Sequence, residues 1–424
     1  ITAKVCGITL TKRNNGTDGE TPLAGFPHHQ LDAYLPKLVK AGYRTAVCEQ
    51  LEDPKQAKGI VKRGVTEIVT PGVALYDKLL ESKKNKYLSS AFFKKIKNGP
   101  ELIGFSFADI STGEFYTSDI IAKDLNNNLE AILPAEIIIC KSQKQYFLEK
   151  FKELTFSPAI SYQEEWIFEE EFCKDLLLKQ FKTKNLKGFG IDGLSAGLVA
   201  AGVVLHYLNE TQNATLNHIS RIALYDTSDY MILDSSTRRN LEITMNTEGE
   251  KDGTLFSALD HTNTPMGGRL LKKWISMPLK SKDNIQRRLD AVNELFDSKK
   301  INVLKEELKS IGDIERLSTK IATLRANPRD LVALKNSLTI VPNIAKFLSN
   351  FKNSYLQSLG EGLPNLDEVI NKLTKALKEE PGLNIGKGNV FNDGYDEELD
   401  EYATARYSAK NWINNYQKEQ REIA

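Results

Sequence analysis

The sequence predicts an α/β architecture that gives way to an all-helical one. Two observations carry that expectation. Up to about residue 230, short apolar runs alternate with helical periodicity. From Met231 onward the extended runs almost vanish. Amphipathic helical pattern remains, punctuated by Pro278, Asn327-Pro328, Pro342, Pro364 and Pro381-Gly382. A chain of 424 residues has room for roughly two to four such domains, each with its own core.

In chain order, Val5 to Leu10 reads as a strand and Leu31 to Ala41 as an amphipathic helix closed by Gly42. Thr45 to Cys48 is extended again. Asp53-Pro54 reads as an N-cap followed by proline at the first helical position, with Gly59 ending a turn or two. Ile68-Val-Thr-Pro-Gly72 closes this first α/β block. A lysine-rich connection, Lys78 to Lys86, leads to three extended runs at Tyr87–Phe93, Leu102–Ile110 and Glu114–Ser118. Turns at Asn98-Gly99-Pro100 and Gly113 make them an antiparallel meander. A strand at Glu136–Cys140 and further helices follow, including the apolar Leu194–Leu208. In the helical region, Leu255 and Leu259 recur at helical spacing. Thr262 or Thr264 can cap a helix whose Leu270, Leu271, Trp274 and Ile275 form one apolar stripe. Gly267-Gly268 is poor for helix propensity, which implies a close approach to the backbone there.

Net charge is only +1, so the molecule as a whole is not a polyanion binder by composition. Residues 1–76, however, hold ten Lys/Arg against seven Asp/Glu, a local +3. Lys55, Lys58 and Lys62 fall at i, i+3 and i+7, one face of a helix with Arg63 at its exit. A solvated charged face is the ordinary meaning of such a run; contact with phosphates is the functional one. Four scattered cysteines without a CxxC pair suit a reduced, intracellular protein with no structural zinc. No apolar stretch approaches membrane-spanning length, which argues against a membrane partner. The chain opens on Ile1 and closes inside a helix-like run; both ends are expected to be internal to a longer polypeptide. Gly382-Leu-Asn-Ile-Gly386-Lys387-Gly388 imitates a phosphate-binding loop. Its spacing is one residue short, and glycine stands where Ser or Thr should reach Mg²⁺. The acidic run Asp396 to Glu401 suits the first turns of a helix, where its dipole favours negative charge.

Ten ordered segments resemble the MutS family of DNA mismatch-recognition proteins. They are Ile8–Arg13, Pro22–His29, Val47–Pro54, Ile68–Val73, Ala108–Phe115, Gly188–Gly193, Thr237–Thr244, Thr264–Trp274, Asn327–Leu331 and Gly394–Tyr402. The resemblance implies a mixed α/β mismatch-binding domain over residues 1–76, truncated at its start, and a linker at 77–83. An RNase H-like connector over 84–230 and a helical core or lever over 231–408 follow, with 409–424 beginning an arm towards a DNA clamp. It implies DNA contacts from Arg63, Lys62, Lys58 and Lys55, with Lys12 and Arg13 as further candidates. Phe26 and Pro27 are expected near the minor groove at a mismatch, where unstacking a defect costs less. Arg238, Arg239, Gly267, Gly268 and Trp274 are expected to form the joint between connector and lever. The family's Phe-x-Glu reader would precede Ile1, and its ATPase domain would follow Ala424. The resemblance thus implies no catalytic, metal or cofactor site within these residues. For the full-length protein it implies ATP and Mg²⁺, a homodimer, mismatched or small-loop duplex DNA, MutL as partner, and a nucleoid-associated place in the bacterial cytoplasm. One alternative is a recombination paralogue of the same family. Another is an RNase H-like metallonuclease built on Asp109, with Glu114, Glu136 and Asp192 as co-ligands.

Overall fold

The computed structural model describes residues 1–423 apart from 14–15, 17–18, 53–60, 96–99, 213–215 and 384. The first block begins with a helix, α1 (Thr2–Cys6), where the sequence reading placed a strand. The run is too short for its period to discriminate, and packing decides. Cys6 is buried against the next helix, Lys37 Nζ donates to the Cys6 carbonyl at 3.1 Å, and Gly7 at φ 66° ends the turn. A two-stranded ladder follows, β1 (Thr11–Arg13) against β2 (Thr21–Leu23). Helix α2 (Leu31–Lys40) buries Leu35, Pro36, Leu38 and Val39, and Gly42 at φ 86° turns the chain just past its end. It packs on a second antiparallel ladder, β3 (Thr45–Gln50) with β4 (Arg63–Val69). The helix expected after Asp53 lies outside the described residues.

The second block is built on one mixed sheet of six strands. Strands β5 (Leu88–Lys95), β6 (Glu101–Asp109) and β7 (Glu114–Ile121) form the expected antiparallel meander. After α3 (Leu125–Ile132), β8 (Glu136–Cys140) joins parallel to β5. After α4 (Lys144–Phe151), β9 (Ala159–Gln163) joins parallel to β8. Helices α5 (Glu170–Gln180) and α6 (Ala196–Thr211) follow, and β10 (Ala223–Leu224) closes the far edge beside β7. Alternation along β8 shows the two-sided core: Ile137 and Ile139 pack with Phe105 and Phe147, while Ile138 and Cys140 pack beneath α5 and α6. Helix α6 lies so close to the sheet that a Cβ on Gly104 would stand 1.9 Å from the Ala196 carbonyl oxygen. Asp119 on β7 fixes its start, accepting the Ser195 and Gly197 amides at 2.9 and 2.5 Å.

The remainder is helical: α7 (Ser235–Asn240), α8 (Leu255–Leu259), α9 (Pro265–Ser276), α10 (Lys282–Asp297), α11 (Ile301–Lys309), α12 (Ile314–Ala322), α13 (Pro328–Ser349), α14 (Ser354–Glu361), α15 (Asp367–Ala376) and α16 (Glu397–Ile423). The chain forms two compact units, residues 1–297 with 313–324, and residues 298–312 with 325–424. In the second unit Asn327 caps α13 reciprocally with Asp330, Pro328 takes the first helical position, and α14 and α15 pack against α13. No described helix is long and apolar enough to cross a membrane.

Candidate nucleic-acid interface and the linker clamp

The sequence-predicted DNA contacts all belong to the first block of the chain. Lys12 and Arg13 stand exposed on β1, and Lys12 is engaged by Glu20 at 2.5 Å. Arg63 is the exposed first residue of β4, paired in register with Gln50, so it leaves a strand end and not a helix end. Lys62, also exposed, precedes it and donates its backbone amide to Glu52 at 2.6 Å. Lys55 and Lys58 lie outside the described residues. Phe26 is half-buried, its ring stacked on Tyr34 of α2 at 4.5 Å, whereas Pro27 is exposed at the start of a short turn containing His28 and His29.

The predicted joint comes together differently. Thr264 caps α9, accepting the Gly267 amide at 3.0 Å, and Thr262 turns instead to Asp260. A Cβ on Gly267 would meet the Thr264 hydroxyl at 2.9 Å, so this glycine serves the cap. Gly268 is the close approach: the aliphatic stem of Lys83 crosses it, with Cγ 2.6 Å from where a Cβ would stand. The Lys83 ammonium then reaches Asp260 at 2.8 Å and the Thr262 carbonyl at 3.2 Å. The apolar stripe does not provide the buried face of α9. Leu270 and Trp274 are exposed, and the Arg288 guanidinium lies 3.8 Å over the Trp274 ring. Gly268, Arg269 and Ser276 are buried instead. Arg238 is half-buried, donating to the Leu233 carbonyl at 3.0 Å, and Arg239 is exposed.

Arg269, which sequence reasoning missed, is the centre of this region. Only 5% exposed, its guanidinium donates to Asp313 at 2.7 and 2.8 Å, to Glu315, and to the Ser82 backbone carbonyl at 2.8 Å. The fork geometry of arginine suits that bidentate carboxylate, and the two acids raise its pKa despite burial. Asp313 also caps α12, accepting the Arg316 amide. Arg316 in turn donates to the Lys84 carbonyl at 2.7 Å, and Lys320 pairs with Asp77 at 2.8 Å. The linker from Asp77 to Lys84 is therefore strapped along its length to α9 and α12. Nothing local in the sequence announces a pair such as Arg269 and Ser82, which stand 187 residues apart.

Three of the four carboxylates proposed for metal-dependent hydrolysis are engaged in hydrogen bonds. Asp109 accepts from Asn85, the Lys86 amide, and the Ser111 amide and hydroxyl. Glu114 accepts from Asn85 and Tyr87, and burial raises its pKa. Glu136 accepts from the Thr70 and Tyr207 hydroxyls, the Ser161 hydroxyl and the Gly72 amide, tying the end of the first block to the sheet. Asp192 is exposed on a loop. Among the described residues no group of three or more His, Cys, Asp or Glu is placed to hold a metal ion. In the Gly382–Gly388 loop, the two outer glycine amides donate to the Asn389 and Ile385 carbonyls.

Such an arrangement defines a multidomain protein: two α/β blocks, the first presenting cations, joined through a clamped linker to a helical region. Its sequence matches three family patterns in order: MutS domain I over residues 1–78, MutS domain II over 86–220 and MutS domain III over 236–423. The chain belongs to the MutS family. It is 45% identical over 422 residues to the DNA mismatch repair protein MutS of Cytophaga hutchinsonii, covering 99% of this chain and 48% of that protein. With the MutS of Salinibacter ruber it shares 40% identity over 423 residues, 99% of this chain and 46% of the relative. With that of Halothermothrix orenii it shares 41% over 429 residues, 100% of this chain and 47% of the relative. The chain thus spans about half the length of the curated relatives it matches.

Proposed function

We propose that this chain supplies the DNA-gripping, connector and lever portions of a mismatch repair protein. One observation carries the reading: identity of 45% runs through all three family domains to a relative named for mismatch repair. The substrate is then duplex DNA carrying mispaired bases or small loops. Arg63, Lys62, Lys12 and Arg13, together with Lys55 and Lys58, hold its phosphates, and Pro27 lies nearer the groove than the packed Phe26. The whole protein acts as a homodimer, uses ATP with Mg²⁺ in a domain outside these residues, and passes the mismatch signal to MutL on the bacterial nucleoid. The linker clamp gives the lever a rigid hold on the path between the two α/β blocks, so that strain at the DNA is felt in α9 and α12.

The test is fluorescence anisotropy of this chain with matched and mismatched duplexes over a salt series. The expected result is weak binding that falls steeply with salt and barely distinguishes the two duplexes, because the Phe-x-Glu reader lies outside the chain. Tight, mismatch-selective binding at physiological salt would place the reader within these residues and overturn that assignment. Absence of binding at low salt would remove the interface.

A further inference from the structure

Next to the linker clamp, two lysines share one carboxylate. Lys251 Nζ donates to Glu81 Oε2 at 2.5 Å, and Lys84 Nζ stands 3.4 Å from the same oxygen. One oxygen atom therefore holds two ammonium groups against each other. Lys272 lies on α9 one turn beyond Gly268, the glycine that Lys83 crosses, and its charge interacts with those of Lys84, Glu81 and Lys251. Among the described residues nothing accepts a hydrogen bond from its ammonium. Three cations against one anion leave two positive charges in excess. The neighbouring cations are matched: Arg269 has Asp313 and Glu315, Lys83 has Asp260 and Lys320 has Asp77.

We propose that Lys84, Lys251 and Lys272, together with Glu81, form a binding site for a small phosphate-class oxyanion, free phosphate or pyrophosphate. Lysine ammonium groups are compact point charges with three donors each, suited to a multivalent tetrahedral anion more than to a flat carboxylate. Glu81 and Lys251 are more than half exposed, so an ion can enter from solvent, while the Lys84 side chain is 28% exposed and guards the inner side. Lys251 is raised, chiefly by its hydrogen bond to Glu81, whereas Lys272 and Lys84 are lowered. Burial and then the charge of Lys84 lower the Lys272 pKa to about 8. Lys84 is itself lowered by burial and by Lys251, against the opposing pull of Glu81. An oxyanion here neutralises the excess and fastens the linker to α9 more firmly.

The experiment is thermal unfolding of the 424-residue chain at pH 7, with pyrophosphate titrated against sodium chloride at equal ionic strength. Wild type should show a saturable rise in Tm with pyrophosphate beyond that with chloride, since binding to the folded state alone stabilises it. Lys272→Met should abolish the rise. Glu81→Gln, which removes the competing carboxylate, should strengthen pyrophosphate binding about fivefold, the scale of one exposed ion pair. Identical curves in pyrophosphate and chloride overturn the site, as does a pyrophosphate response unchanged in both variants. A rise produced by a short DNA duplex but not by pyrophosphate overturns the free-ion assignment in favour of backbone phosphate.

Discussion

A methyl group at position 268 would enter space that the Lys83 stem already fills. Gly268→Ala should therefore lift Lys83 off α9 and destabilise the chain by about 1–3 kcal/mol, read from chemical denaturation. Arg269→Ala should cost more, about 3–5 kcal/mol, because it takes the bidentate partner from the mostly buried Asp313 carboxylate and the donor from the Ser82 carbonyl. His218 offers a pH test. Its imidazole is buried against the Ile110 carbonyl, and burial lowers its pKa below the ordinary 6.5. The unfolded chain then binds the proton more readily than the folded one. The stability linked to His218 is present above about pH 6.5 and lost as pH falls through the lowered folded value. His218→Asn should flatten that part of the stability-against-pH curve in urea titrations. These side chains were hard to see in the sequence for one reason. Gly268 signalled a close approach, but its partner and the acids around Arg269 come from segments far along the chain.

Elements whose start is written in adjacent residues were legible. Thr264, one of two candidate caps, opens α9 with Pro265; Asn327-Pro328, read only as a break in the helical pattern, in fact opens α13 with Asp330. Asn327→Ala should cost about 1 kcal/mol through loss of the cap, seen as a lower denaturation midpoint with an unchanged slope. The meander β5–β6–β7 was legible because alternation and turn residues agree along it. The strand expected at Val5–Leu10 failed because six residues cannot separate the two periods, and a hydrogen bond from Lys37 settled the matter. The apolar stripe of α9 was real as a pattern yet misleading as a guide to burial. The flank that packs is small at Gly268 and charged at Arg269, while Leu271 and Ile275 are only half-buried. Periodicity reports where apolar residues lie and cannot show that a well-matched ion pair displaces them from the contact.

At the scale of the whole molecule, the order of blocks could be read because each segment kept its residues in family order, from Ile8 to Tyr402. The cations expected at the DNA could be named but not arranged, since Arg63 belongs to a strand and Lys55 and Lys58 fall outside the described residues. Arg63→Ala should lower DNA affinity alike for matched and mismatched duplexes and reduce the slope of log affinity against log salt by about 0.9. Anisotropy at four salt concentrations would measure it. The linker clamp has one more consequence. Arg269 and Arg316 grip the backbone carbonyls of Ser82 and Lys84, so their hold is indifferent to which side chains those positions carry. A one-residue insertion there should therefore do more harm than exchanging Ser82.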